Sequence, residues 1–306
     1  MHRRTTLTTA RLTTACAALA TGLLAAPAAA APPRATTVEC GAVLTTSVRL
    51  AADVVCPDGD GVVLAADGIE LNLNGHALVG PGTSSGAGVL VRAEDVTVRN
   101  GTISGWESGV RAGTDPTDPY GEESQGPARA VVRQARLEAN GFGVEVRQDG
   151  DVQVRNTWLV GNGVGGYVVS YGRLLVEDST ADGNGTGFSS FEVEEDGLVL
   201  RGSTVRGGSA GVSCSTDGNV VVERSTLQRN AIGLEAFLCS AWVSDSALVW
   251  NGEHVRGYLV DWDTVEVTCT TFTRDGGPLD FPVEPCATGG AGVSGTLGPW
   301  WVPGSE

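Results

Sequence analysis

The strongest constraint in this chain is a repeat. Aligned on Asn100, Gln134, Asn156, Asp178, Gly202, Arg224, Asp245 and Cys269, the sequence recurs at spacings of 34, 22, 22, 24, 22, 21 and 24 residues. A less regular copy stands at Asn74, in the run ELNLNGHALVG. A period of 21–24 residues is one turn of a solenoid, whose units bury their apolar faces only against their neighbours. Two positions before the register residue stand Val98, Val132, Val154, Val176, Leu200, Val222, Val243 and Val267. Four before stand Val96, Ala130, Val152, Leu174, Leu198, Val220, Ala241 and Val265. A difference of two residues places both columns on one face of a strand. Three positions after stand Ile103, Leu137, Leu159, Ala181, Val205, Leu227, Leu248 and Phe272, a third inward column.

The polar columns repeat as well. Six positions after the register residue stand Asn140, Asn162, Asn184, Asn230 and Asn251, with Gly208 interrupting. Asparagine accepts the left-handed turn conformation, and stacked side-chain amides bond from coil to coil. Gly109, Gly143, Gly165, Gly187, Gly211 and Gly233 follow three residues later, and His254 takes that place in the next coil. Just before the register residue the column reads Arg99, Arg133, Arg155, Glu177, Arg201, Glu223. From Arg155 onward opposite charges become neighbours at about 4.8 Å, and each exposed pair is worth about 0–1 kcal/mol.

The repeat V-x-V-x-(N/D)-(S/T)-x-(L/V)-x-x-N-x-x-G-(V/L), opened by L-N-L-N-G-H, resembles the right-handed parallel β-helix repeat proteins of the pectin-lyase-like fold. The resemblance covers roughly residues 40–275 and implies an all-β solenoid, here of about nine coils. The fold carries lyases, hydrolases, epimerases and adhesins, so it does not select among them. Polygalacturonase-like members carry Asn-Thr-Asp, Asp-Asp, Gly-His-Gly and Arg-Ile-Lys segments, none of which occurs here. Pectate-lyase-like members pair an arginine or lysine base with calcium-binding carboxylates, and no such set is recognisable. Mannuronan-epimerase-like members carry Asp-Pro-His-Asp, against Asp115-Pro116-Thr117-Asp118 in this chain.

Residues 1–31 read as a secretory leader: a basic start, an apolar run over 15–26 and Ala-x-Ala cleavage choices. Its removal takes three arginines and no carboxylate, leaving 17 arginines against 36 acids, and the formal charge moves from −16 to −19. There is no lysine. Such a chain repels nucleic acid and anionic headgroups. No later run is apolar and long enough to span a bilayer. The expected organisation is a cap over 32–60, a β-helix over 61–275 and a C-terminal cap or tail over 276–306. Six cysteines remain, an even count that in an exported protein reads as disulfides. Proximity suggests Cys40–Cys56, Cys214–Cys239 and Cys269–Cys286, one of fifteen connectivities.

In this fold the ligand groove runs along the outside of one sheet. On the strand after the asparagine turn, one outward column reads Glu145, Tyr167, Ser189, Ser213, Glu235, Arg256, and the next reads Arg147, Val169, Phe191, Ser215, Phe237, Tyr258. Rings pack on the apolar face of a pyranose and carboxylates accept its hydroxyls. Glu145, Tyr167, Phe191, Phe237 and Tyr258 are therefore the expected ligand-binding set, with a polysaccharide or cell-surface glycan as partner. The alternatives are a polysaccharide lyase, epimerase or glycoside hydrolase, or a structural or adhesive surface protein. Catalytic candidates are Glu235, Arg256, His254, Asp261 and Asp263. Glu145 and Glu235 lie four coils, about 19 Å, apart, too far for a glycosidase pair. The long Asn100–Gln134 interval holds Asp115, Asp118, Glu122 and Glu123, oxygens of the kind that suit Ca²⁺, and Asp58 and Asp60 form a weaker pair. An outward apolar column, Leu175, Val199, Val221 and Trp242, calls for cover by the segment containing Trp300 and Trp301 or by a partner.

Overall fold

Alternation at period two, repeated every 22 or so residues, builds this structure. The computed structural model describes residues 34–114, 127–194, 196–260, 262–273, 282–286 and 292–297, all within one unit spanning 33–306. Each coil runs through three strands, as in Gly150–Arg155, Trp158–Val160 and Val164–Val169. The first two kinds belong to one bent 20-stranded sheet and the third to a ten-stranded sheet. Neighbouring coils pair in parallel. Val132 faces Val98 on one side and Val154 on the other, and the file continues through Val176, Leu200, Val222, Val243 and Val267 without a slip. All eight are buried, as is the file from Val96 to Val265. Phe272, last in the third file, is only partly buried. The ten-stranded sheet gives ten rungs rather than the expected nine. Ala42–Leu44, inside the segment expected to cap the solenoid, pairs in parallel with Val62–Leu64 as a first rung.

The corners explain the polar columns. The register residues turn the chain at positive φ: Asn156 at 48°, Asp178 at 47°, Arg224 at 46° and Cys269 at 47°. The second turn differs from expectation. Positive φ falls on the residue before each asparagine and before Gly208, at Ala139, Gly161, Gly183, Gly207, Arg229 and Trp250. The asparagine itself points inward. The Asn162 amide donates to Asn184 Oδ1 at 3.0 Å and to the Leu137 carbonyl at 3.0 Å, while the Asn162 backbone N–H donates to Asn184 Oδ1 at 2.8 Å. Asn140 and Asn230 bond the asparagine of the following coil in the same way. A second ladder runs beside the first turn, where the backbone N–H groups of Thr157, Ser179, Ser203 and Ser225 donate to the hydroxyls of Ser179, Ser203, Ser225 and Ser246. Buried backbone donors are thus satisfied by side chains of the next coil.

The glycine column follows from the asparagine ladder. A Cβ on Gly165 would lie 2.4 Å from the Gly187 carbonyl oxygen and 3.2 Å from the Asn184 amide nitrogen. His254 ends that file: its backbone carbonyl faces Gly233. The charge column forms as expected, with Arg155–Glu177 and Arg201–Glu223 both at 2.8 Å.

All three expected disulfides are present, with Cα separations of 5.6, 6.0 and 5.0 Å for Cys40–Cys56, Cys214–Cys239 and Cys269–Cys286. At the far end Val293–Leu297 lies antiparallel on Val265–Phe272 and on Val283–Pro285. This covers the edge of Val265–Phe272, a row of backbone groups that would otherwise be open to pairing. Among the described residues no helix is long and apolar enough to cross a membrane. The expected leader lies outside the described residues.

Candidate functional site

The outer face of the ten-stranded sheet carries two files in register. The first is Arg111, Glu145, Tyr167, Ser189, Ser213, Glu235, Arg256. The second is Val169, Phe191, Ser215, Phe237, Tyr258. Rungs about 4.8 Å apart let rings on adjacent coils stack. Phe237 and Tyr258 do so with centroids 5.2 Å apart and planes at 20°, and they stay 49% and 46% exposed. Phe142 and Tyr167 stack at 5.3 Å and 23°, both partly buried. Phe191 is partly buried two rungs before Phe237, with Ser215 between them.

Glu145 is not an open acid. It is 4% exposed and sits in a network with Arg111, itself 8% exposed. Arg111 Nε donates to Glu145 Oε2 at 2.8 Å, and Arg147 Nε donates to Oε1 at 2.9 Å. The Ser108 hydroxyl donates to the same Oε2. Arg111 Nη2 also reaches Glu107 Oε2 at 3.0 Å. Burial pushes the Glu145 carboxyl up, but the two guanidiniums and the Ser108 hydroxyl more than offset it and hold the group below the usual carboxylate range. Burial, followed by the charges of Glu145 and Glu192, pushes the Tyr167 phenol up. The sheet therefore presents Tyr167 over a fixed ionic base.

Of the described catalytic candidates, Glu235 and Arg256 come together and His254 does not join them. Glu235 Oε1 lies 3.6 Å from Arg256 Nη1, and Arg256 Nε donates to Glu253 Oε2 at 2.8 Å. The Arg256 hydrogen bond holds the Glu253 carboxyl below its ordinary range. His254, expected beside them, points into the solenoid. It is 2% exposed, its Nε2 is 2.7 Å from the Thr273 carbonyl and its ring meets Phe272 edge-on at 5.5 Å. Along Glu253–Tyr258 the exposed positions are Glu253, Arg256 and Tyr258, while His254, in the place of the repeat glycine, is buried with Gly257. Asp263 Oδ2 accepts the Val260 N–H at 3.1 Å and closes a local turn. Asp261 lies outside the described residues.

Asp115, Asp118, Glu122 and Glu123 also lie outside the described residues. Among the described residues no group of three or more His, Cys, Asp or Glu side chains is placed to hold a metal ion. Asp60 Oδ1 accepts the Ala87 N–H at 2.6 Å, a structural bond between rungs. His76 Nδ1 is 3.1 Å from Asp53 Oδ1, joining the second copy of the motif to its neighbour.

Arg111, Ser108 and Phe142 are absent from the sequence-based set. Arg111 precedes Glu145 in its file, two residues after Gly109 as Glu145 is after Gly143, so the glycine column carried the signal that could have found it. Phe142 falls two residues after Asn140, in a column continued by Val164, Thr186, Ala210, Ile232 and Glu253. That column mixes residue types and gives no periodic signal.

Ten parallel rungs, inward aliphatic files and one outward aromatic face define a single-chain parallel β-solenoid. The right handed beta helix region family matches residues 84–255, more than half of the chain, and the chain belongs to that family. No curated protein matches it. Among solved structures, the A-module of the Azotobacter vinelandii mannuronan C-5 epimerase AlgE4 is similar at 13% identity and a TM-score of 0.48, over 76% of this chain and 80% of that one. An alginate lyase from Paenibacillus sp. str. FPU-7 is similar at 12% identity and a TM-score of 0.37, over 78% and 88%.

Proposed function

We propose that this chain is an exported glycan-binding solenoid that holds an extended polysaccharide along the outer face of its ten-stranded sheet. The observation that carries the reading is the stacked, half-exposed pair Phe237–Tyr258, in file with Phe191. A row of rings on a flat parallel sheet matches the repeating apolar faces of a sugar chain, and Ser189, Ser213 and Ser215 offer hydroxyls among them. Binding is favoured over turnover because the Glu145 and Glu253 carboxyls are each held below the ordinary range by arginine, which suits hydrogen-bond acceptance better than proton donation. Three disulfides and the leader-like start support export.

Glycan-array binding with product analysis tests this reading. Tyr258→Ala and Phe237→Ala are expected to weaken binding about tenfold each, equivalent to about 1.4 kcal/mol. Unchanged affinity in both variants would remove this face, and shortened or unsaturated products would convert the reading to an enzyme.

A further inference from the structure

The charges beside the ring stack discriminate among sugar chains. Between Tyr167 and Tyr258 the two outward files carry rings, serines, Val169 and Glu235, and Arg256 is the one cation among them. Arg256 is not open to a ligand anion. Its Nε donates to Glu253 Oε2 at 2.8 Å, its Nη2 donates to Glu253 Oε1, and its Nη1 lies 3.6 Å from Glu235 Oε1. Each nitrogen of the guanidinium therefore faces a carboxylate. Two carboxylates against one guanidinium leave the cluster with a net charge of 1 − 2 = −1. The Glu235, Arg256 and Glu253 side chains are 35%, 45% and 49% exposed, so a bound ligand meets all three.

We infer that the glycan held on this face is a neutral polysaccharide, and that Glu235 and Glu253 are the residues that exclude uronates. The inference rests on the glycan-binding reading above and narrows its ligand class. Glu235 and Phe237 are two residues apart on one strand, as are Arg256 and Tyr258, so each charged group stands about 7 Å from its ring on the same face. A pyranose resting on Phe237 and Tyr258 turns one edge toward this pair. A hydroxyl on that edge finds an acceptor in Glu235. A carboxylate there would meet Glu235 with Arg256 already engaged by Glu253, and juxtaposed like charges are how an interface rejects a wrong partner. The other end of the face has the same sign. Tyr167 follows Glu145 in file, and the charges of Glu145 and Glu192 both act on its phenol. Arg111 and Arg147 beside it are bonded to Glu145. The formal charge of −16 and the absence of lysine give the field of the whole chain that sign as well.

Calorimetric titration of the full chain with matched oligosaccharides tests this. The probes are hexamers of β-1,4-linked glucose, mannose and galactose, each also supplied with its C6 alcohols oxidised to carboxylates. A neutral hexamer that binds is expected to do so at least about tenfold more tightly than its oxidised partner at low ionic strength, with the gap narrowing as salt is added. Equal or tighter binding of the oxidised form would overturn the inference and leave the face a glycan site. Uronate binding that appears on adding Ca²⁺ would overturn it too, because a bridging cation would then set the selection. Binding to none of the six would remove the glycan reading itself, and this inference with it. Glu253→Gln releases the Arg256 fork, so affinity for the oxidised hexamer should rise severalfold, whereas a merely structural Glu253 would weaken both forms alike. Glu235→Gln should narrow the gap in the same direction. An unchanged ratio in both variants would show that these two carboxylates do not set the preference.

Discussion

At the scale of single residues, Glu145 shows how burial reverses a sequence-based role. In the sequence it is an outward acid between aromatics, and its exposure cannot be read from an alternating pattern that only separates inside from outside. The structure gives it Arg111 on one side and Arg147 on the other. Glu145→Gln leaves the buried Arg111 guanidinium with only the more exposed Glu107 as charge partner, and removing one member of a buried pair costs up to about 3–5 kcal/mol. Thermal or urea unfolding should show that loss at neutral pH. The dependence on pH follows from the lowered pKa: unfolding restores the ordinary carboxylate, so the contribution is complete above the ordinary range. It is lost as pH falls through that range to the folded value. Wild type and Glu145→Gln should therefore converge in stability as pH is lowered below about 4. A gap that stays constant from pH 7 to 3 would show that the charge on Glu145 is not what stabilises the fold. Gly165 gives a second case. With the Gly187 carbonyl 2.4 Å from a built Cβ, Gly165→Ala should destabilise by about 1–3 kcal/mol through overpacking.

At the scale of elements, the ladders carry the regularity of the coils. Asn184 Oδ1 accepts both the backbone and the side-chain N–H of Asn162, and its own amide donates to the Leu159 carbonyl. Asn184→Ala would orphan two buried donors and one acceptor, and each costs about 1–3 kcal/mol. Urea denaturation should register a drop of at least about 2 kcal/mol, while Asn74, on the less regular coil, should tolerate alanine better. The inward files, the asparagine column and the charge column were all legible in the sequence, because each repeats one residue type at one period. The tenth rung, Ala42–Leu44, was not: Ala-Val-Leu is too short for a period to show. The serine ladder was visible as a column, but its bonding depends on the turn at Asn156 and its equivalents. The aromatic stacks lie between the two cases. The columns place Phe237 beside Tyr258, yet only the ring planes show that they stack. The burial of His254 is not legible for a related reason, since a lone histidine in a glycine column gives no direction.

At the scale of the whole molecule, stability is a sum over neighbouring coils, and crosslinks act by limiting the unfolded chain. Cys214 and Cys239, 25 residues apart and both buried, join consecutive coils. Replacing both with alanine should cost about 3 kcal/mol in the chain-entropy picture, measurable as a lower denaturant midpoint. The same arithmetic applies to Cys40–Cys56 and Cys269–Cys286, which tie residues at the two ends.

Gly208 offers no side-chain amide where every neighbouring coil from Asn140 to Asn251 does, although its backbone N–H still donates to Asn230 Oδ1, so the asparagines fall into a group of three and a group of two. The molecule consequently has a seam. Cys214–Cys239 rivets the coil carrying Gly208 to the one that follows, and none of the covalent bridges crosses to the coil carrying Asn184. Drawn apart by its two tips, the stack has one side-chain ladder fewer to break at that step, where the Ser179–Ser203 bond and the Asp182–Arg206 pair still cross.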